Sequence, residues 1–255
     1  MPELSNAYTA LGIRRPTSSS NFVLDLTRKD NGINRRLPQE IIDFGYDLRK
    51  RTGKKQGTNE NYCGTFVYLG KGENGETLTL NDWLHWETPD KTITVPNRVP
   101  ENVFSFLSND GGTIFSVIDY CDILSYALFD EPGIIFRVQN PMKWQPNEID
   151  GFYISKVNRR VTVYPVETKA SSTDDDINLV QMNGQYNTFV DKMQTQQMQQ
   201  ASIRPIAIKM QNGGLNVAIM EKNALYDPIA NKAAPYFIIQ NTVRVEINPC
   251  VPSWV

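Results

Sequence analysis

The stretch NEIDGFYISKVNRRVTVYPVETKA, residues 147–170, decides how this chain is organised. NEIDGFYIS (147–155) and RVTVYPVETKA (160–170) read as strands, and KVNRR between them reads as a tight reversal around Asn158. A reversal centred between Asn158 and Arg159 pairs residues whose numbers sum to 317, which sets Asp150 opposite Glu167. Directly opposed Cβ atoms lie ~5 Å apart, so two carboxylates meet, a destabilising arrangement unless a cation sits between them. Side chains alternate along a strand, so Lys169 shares a face with Glu167. The spacing predicts two carboxylates and an ammonium converging on one spot, flanked by Ile149, Phe152, Val163 and Val166.

Working outward, GIIFRVQN (133–140) reads as a strand preceding this hairpin. Before it, TIFSVIDYCDILSYALFDEPG (113–133) predicts one helix with Ile114, Val117, Ile118, Cys121, Leu124 and Leu128 on one face, stopped by Pro132 and Gly133. After the hairpin, STDDDINLVQMNGQYNTFVDKMQ (172–194) has helical spacing at Leu179, Met182, Tyr186, Phe189, Val190 and Met193. Thr173 is its expected N-cap, and Asp174 to Asp176 suit a helix N-terminus. IRPIAIKM (203–210) and LNVAIMEKN (215–223) read as strands joined by the turn-forming QNGG. Helix, three strands, helix, strand, strand is an α/β or α+β order. It assigns residues 113–255, with further C-terminal strands, to a core and residues 1–112 to a less regular N-terminal region.

Within that region, residues 28–55 carry nine Lys or Arg against four acids. PQEIIDFGYDLRKR (38–51) is expected to be helical, with Pro38 in the first turn and basic residues in the last. Arg49, Lys50, Arg51, Lys54 and Lys55 there read either as a phosphate-contacting surface or as a solvated helix end. Residues 56–112 read as short strands and turns, with a hairpin turning at GENGE (72–76). That region is left to contact nucleic acid, to dimerise or to dock a partner.

Composition narrows the chemistry. With 255 residues, 40% of them hydrophobic, a sizeable core is available. A formal charge of −2 excludes binding of polyanions by overall basicity but permits a local basic surface. No apolar run approaches the roughly 18 residues of a membrane span, and MPELSNAYTALG lacks the pattern of a secretory signal, so a soluble, cytoplasmic protein is expected. Cys63, Cys121 and Cys250 are far apart, and His85 is the sole histidine, which excludes a structural zinc site. Free thiols are expected. A hydrolase with a histidine base would depend wholly on His85, which lies between Trp83 and Trp86 and reads as a packing or surface residue.

Two carboxylates with a lysine suit a hard divalent cation held by oxygen, Mg²⁺ with Mn²⁺ as substitute, and hydrolysis of a phosphodiester. Asp150, a hairpin, then Glu167-Thr168-Lys169 resembles the signature of the PD-(D/E)xK nuclease superfamily, and the element order over residues 113–223 resembles that family's common core. The resemblance implies a restriction-endonuclease-like core and a metal-dependent endonuclease acting on DNA, double-stranded by analogy with restriction and phage-defence enzymes. It implies Asp150 and Glu167 as metal ligands, the Thr168 or Val166 carbonyl as a further ligand, and Lys169 as the residue that orients the attacking water. A homodimer or another defence-system subunit is the implied partner. Two other outcomes stand beside this: an inactive interaction subunit on the same fold, or a nuclease for RNA or single strands, with Trp83, Trp86 and Trp144 available to stack on bases.

The chain departs from the family pattern in places. Ile149 stands where proline is usual. Some branches have a third acid on the preceding helix, for which Asp119 and Asp122 are the candidates. Others have glutamine followed four residues later by an aromatic on the next helix. Gln185 with Phe189 fits that spacing, whereas Gln181 with Tyr186 misses it by one.

Overall fold

Asn158 and Arg159 both take positive φ, 50° and 66°, the backbone of a two-residue hairpin turn whose twist matches the flanking strands. Around that turn the computed structural model builds a mixed α and β fold. It describes residues 29–30, 33–34, 39–54, 61–71, 74–75, 83–86, 88–108, 111–139, 149–170, 176–195, 201–224 and 236–254. The chain divides into two units, Met1–Asn81 and Asp82–Val255.

The first unit contains β1 (Lys29–Asp30) paired with β2 (Ile33–Asn34), then α1 (Gln39–Asp43), β3 (Tyr46–Lys54) and β4 (Asn61–Tyr68). The helix expected over 38–51 is therefore confined to five residues. Gly45, at φ +83°, ends it, because the left-handed backbone there is open to glycine and closed to most side chains. A Cβ on Gly45 would meet the Gly70 carbonyl oxygen at 2.8 Å, so the close approach of these two backbone segments also requires glycine. Arg49, Lys50, Arg51 and Lys54 consequently lie on a strand, with Arg49 paired to Thr65 and Lys50 to Gly64, and not on a helix end. Lys55 is outside the described residues. Among the described residues β4 pairs back with β3. Of the reversal expected at GENGE, only the turn at Asn74 and Gly75 is described.

The second unit is built on an eight-stranded mixed sheet. Its elements are β5 (Lys91–Pro96), α2 (Gly111–Tyr120), α3 (Ile123–Phe129), β6 (Ile135–Gln139), β7 (Gly151–Val157), β8 (Arg160–Lys169), α4 (Leu179–Thr195), β9 (Ser202–Ile203), β10 (Ile206–Gln211), β11 (Gly214–Lys222) and β12 (Phe237–Asn248). The strand order is β5-β12-β11-β10-β8-β7-β6, with β9 beside β8. β6, β7 and β8 form an antiparallel meander, and α4 carries the chain across to β10, which runs parallel to β8. β5 pairs with β12, so residues well before 113 belong to this sheet.

Alternation along the strands sends side chains to two cores. Tyr164 and Val166, Ile206 and Ile208, Val217 and Val243 pack with Ile114, Val117 and Ile118 of α2, Leu124 of α3 and Cys121 in the break between them. Val163 of β8 faces the opposite way and packs with Ile149, Phe152, Phe189 and Met193, and Ala207 and Ala218 pack with Leu179 and Met182. The expected apolar stripe of 114–128 is buried as its spacing predicts, except that Leu128 is half-buried. The single helix expected there is two, bent by 64°. Asp122 at φ 53° breaks it, and its carboxylate accepts hydrogen bonds from Ser125 Oγ and the Gly133 amide. Asn178, not Thr173, caps α4: its Oδ1 accepts from the Gln181 amide at 3.0 Å. Thr173 itself lies outside the described residues, as do Asp174 and Asp175. Cys121 is a buried free thiol and Cys250 an exposed one. Among the described residues no single helix is long and apolar enough to cross a membrane.

Candidate active site

The hairpin register is the one that makes residue numbers sum to 317: Val157 faces Arg160 and Gly151 faces Val166. One step further along, Asp150 precedes β7 and reaches across to β8, where its Oδ2 accepts from the Thr168 amide at 3.4 Å. Gly151 lets β7 begin there. A Cβ on it would lie 2.3 Å from the Phe115 ring, so only glycine allows α2 to pack this closely beside Asp150.

Glu167 is 1% exposed and accepts from three donors, which leaves acceptor capacity on Oε2. Lys169 Nζ lies 2.9 Å from its Oε1, Gln181 Nε2 donates to Oε1 at 3.0 Å, and Gln185 Nε2 donates to Oε2 at 2.7 Å. Gln181 and Gln185 are four residues apart on α4 and so share the face that meets β8. Burial pushes the Asp150 carboxyl up to about 7, the Glu167 charge adds to the rise, and Lys169 opposes it. Asp150, Glu167, Lys169 and Gln185, each singled out in the sequence, are thus brought together. Ile149, Phe152 and Val163 back the site, joined by Phe189, whose ring meets Phe152 edge-on at 4.7 Å. Val166 does not flank it, because alternation turns that residue into the other core.

Gln181 belongs to the site although its spacing to the aromatic Tyr186 is one residue too long. The informative signal was its i, i+4 relation to Gln185. Lys209 was missed as well. It is level with Lys169 on the neighbouring parallel strand and pairs with Asp176 at 3.2 Å. A lysine inside the otherwise apolar run IAIKM was the available clue. Asp176, expected at a helix start, holds Lys209 and accepts from Trp86 Nε1 at 2.8 Å. Trp86 is therefore a packing residue, Trp83 bridges to Asn178, and His85 beside them is exposed. Trp144 lies outside the described residues.

The candidate third acids are engaged elsewhere. Asp119 accepts from Tyr153 Oη at 2.9 Å and pairs with Arg137 at 2.6 Å, with burial raising its carboxyl and these two partners holding it down. Asp122 closes the α2–α3 break. Among the described residues no group of three or more His, Cys, Asp or Glu is arranged to hold a metal, so a cation here would rest on two acids. No known protein family, curated protein or solved structure matches this chain.

The donors on Glu167 give a stability test. Gln185→Ala is expected to cost about 2 kcal/mol, since it leaves a buried carboxylate oxygen short of a charge-assisted bond. The half-buried Gln181→Ala should cost about half as much. Urea unfolding of both variants without divalent metal measures this. Equal losses would mean that burial does not rank the two bonds.

Proposed function

We propose that this chain is a divalent-metal-dependent endonuclease of the PD-(D/E)xK type, with a restriction-endonuclease-like core, hydrolysing DNA phosphodiester bonds in restriction or phage defence. The observation that carries the reading is the convergence of Asp150, Glu167 and Lys169 at one end of β8. The order α2–α3, β6, β7, β8, α4, β10, with β6-β7-β8-β10 adjacent in the sheet, supports it.

The residues fit Mg²⁺. Two like charges, Glu167 buried and Asp150 half-buried, with the Asp150 carboxyl driven toward its neutral form, are better satisfied by a cation, and every available ligand is oxygen. Mg²⁺ takes one or two carboxylates and completes its shell with water and substrate phosphate, so two acids suffice. Asp150 and Glu167 would hold it, with the Thr168 carbonyl as a further ligand. Bound there, the ion would stabilise charge on the phosphodiester and acidify a water. Gln181, Gln185 and Lys169 fix the Glu167 carboxylate so that its geometry does not change when substrate arrives. The Lys169 ammonium orients the attacking water and offsets negative charge on the scissile phosphate.

Incubation with plasmid, linear duplex, single-stranded DNA and RNA, each with Mg²⁺, Mn²⁺ or chelator, tests the proposal. Metal-dependent cleavage of duplex DNA is the expected result. Cleavage confined to RNA or single strands would change the substrate class, and no cleavage of any substrate would favour an interaction subunit.

The overall charge is −2, so phosphates must be met locally, and the basic strand β3 is the candidate surface. Each phosphate contact contributes about −0.9 to the slope of log affinity against log salt. Neutralising Arg49, Lys50 and Arg51 together is expected to flatten that slope by about 2–3 units. Binding measured over a salt series in Ca²⁺ checks it. An unchanged slope would move the DNA path elsewhere.

A further inference from the structure

A second concavity lies at the far end of β8 from the acid pair. Thr162 lines it and Glu167 does not, and five residues of strand separate them by roughly 16 Å. The hollow measures about 770 Å³, a size that accommodates a small organic ligand. It opens where α3 ends at Phe129, leaving the sheet face beyond uncovered by that helix.

Its lining differs from the apolar sheet face beside it. The floor is hydroxyl-rich: Ser155, Thr162 and Tyr164. Ser155 and Tyr164 are 2% and 1% exposed, and their hydroxyls bond to each other at 2.9 Å. Two hydroxyls carry two protons and this bond uses one, so among the described residues one O–H donor is left without an acceptor. Arg160 and Arg204 stand on the rim, and among the described residues neither guanidinium has a carboxylate partner or a hydrogen bond. Gln240 Nε2 donates to Glu221 in the same lining, while Phe129 and Ile203 add apolar surface.

We propose that this hollow binds a nucleoside monophosphate. Two guanidinium forks, without a partner among the described residues, match a phosphate, which accepts bidentate hydrogen bonds from arginine. The spare hydroxyl proton adds a donor for the same group. Glu221 and Gln240 accept from ribose hydroxyls or a base amine, and Phe129 gives the base a stacking face. A duplex backbone fits less well, because Glu221 would repel a continuous phosphate track and Ser155 and Tyr164 are too buried for a duplex to reach.

Calorimetric titration with AMP, CMP, GMP and TMP, and separately with inorganic phosphate, tests the assignment in the presence of chelator. The full chain is used as wild type, Arg160→Gln/Arg204→Gln, Tyr164→Phe and Asp150→Asn. At least one nucleotide should bind. The arginine pair variant, whose changed residues are exposed, should weaken that binding by about tenfold or more, and Tyr164→Phe by a few-fold. Asp150→Asn should leave it unchanged. The inference is overturned if none of the nucleotides binds at millimolar concentration, if the arginine variant binds as wild type does, or if inorganic phosphate binds as tightly as the nucleotide. Loss of binding in Asp150→Asn would place the nucleotide at the acid pair and overturn it too. None of these readouts depends on DNA cleavage.

Discussion

Asp150→Asn is expected to lower metal-dependent DNA cleavage by on the order of 10³-fold or more while leaving the fold intact. The substitution keeps the shape of the side chain and its contact with the Thr168 amide but removes one of the two charges available to a cation. It is a cleaner test than a change at Glu167. That carboxylate accepts from Lys169, Gln181 and Gln185, so Glu167→Ala would leave three donors without their acceptor and destabilise the chain as well. Lys169→Met should cost about 10²–10³-fold, because it removes a positive group near the reacting phosphate and the ion-pair partner of Glu167 while keeping both acids in the chain. Single-turnover nicking of plasmid in Mg²⁺, with circular dichroism to check folding, measures each change. An Asp150→Asn protein that cleaves like wild type would remove this pair of acids from the chemistry.

The site was legible because its determinants are local. A two-residue turn fixes hairpin register, register fixes which side chains are opposed, and alternation places Lys169 beside Glu167. The twenty residues from Asp150 to Lys169 therefore contained the geometry. Gln185 could be named because helical periodicity holds across the turns of α4. What failed was decided by longer-range or backbone effects. Gly45 and Asp122 each take a left-handed backbone in the middle of a helical pattern, and periodicity alone gives no weight to one residue's φ. The lysine and arginine run after Gly45 had the charge order of a helix end, but its backbone hydrogen bonds go to β4. The parallel pairing of β8 with β10, which brings Lys209 level with Lys169, joins segments separated by a whole helix. Asp119 on α2 had the position of a third ligand, but Tyr153 of β7 and Arg137 of β6 engage it.

Without divalent metal, the wild-type chain is expected to lose stability relative to Asp150→Asn as pH rises. The sign follows from proton counting. Below about pH 4 the Asp150 carboxyl is neutral in both states and contributes no difference. Between the ordinary value of 3.8 and the native value of about 7, the unfolded chain has released the proton while the folded chain keeps it, so stability falls with each unit of pH. Above that window the carboxyl is ionised in both states and the loss is complete. At ~1.4 kcal/mol per unit the whole shift would amount to about 4 kcal/mol, but Asp150 is only half-buried and solvent screens its charge, so about 1–2 kcal/mol is expected. That corresponds to a melting temperature about 3–6 °C higher for Asp150→Asn than for wild type at pH 8 in chelator, with the two nearly equal at pH 4. Other titrating groups, Asp119 among them, are common to both proteins and cancel in the difference. Mg²⁺ should then reverse the order at pH 8. It binds the folded state of wild type and raises its melting temperature through mass action, while the variant, short of one ligand, responds weakly. Thermal melts over pH 4–8, with chelator and with millimolar Mg²⁺, provide the measurement. A wild type that outlasts Asp150→Asn at pH 8 in chelator would mark Asp150 as a structural acid satisfied by its neighbours, with no strain for a metal to relieve.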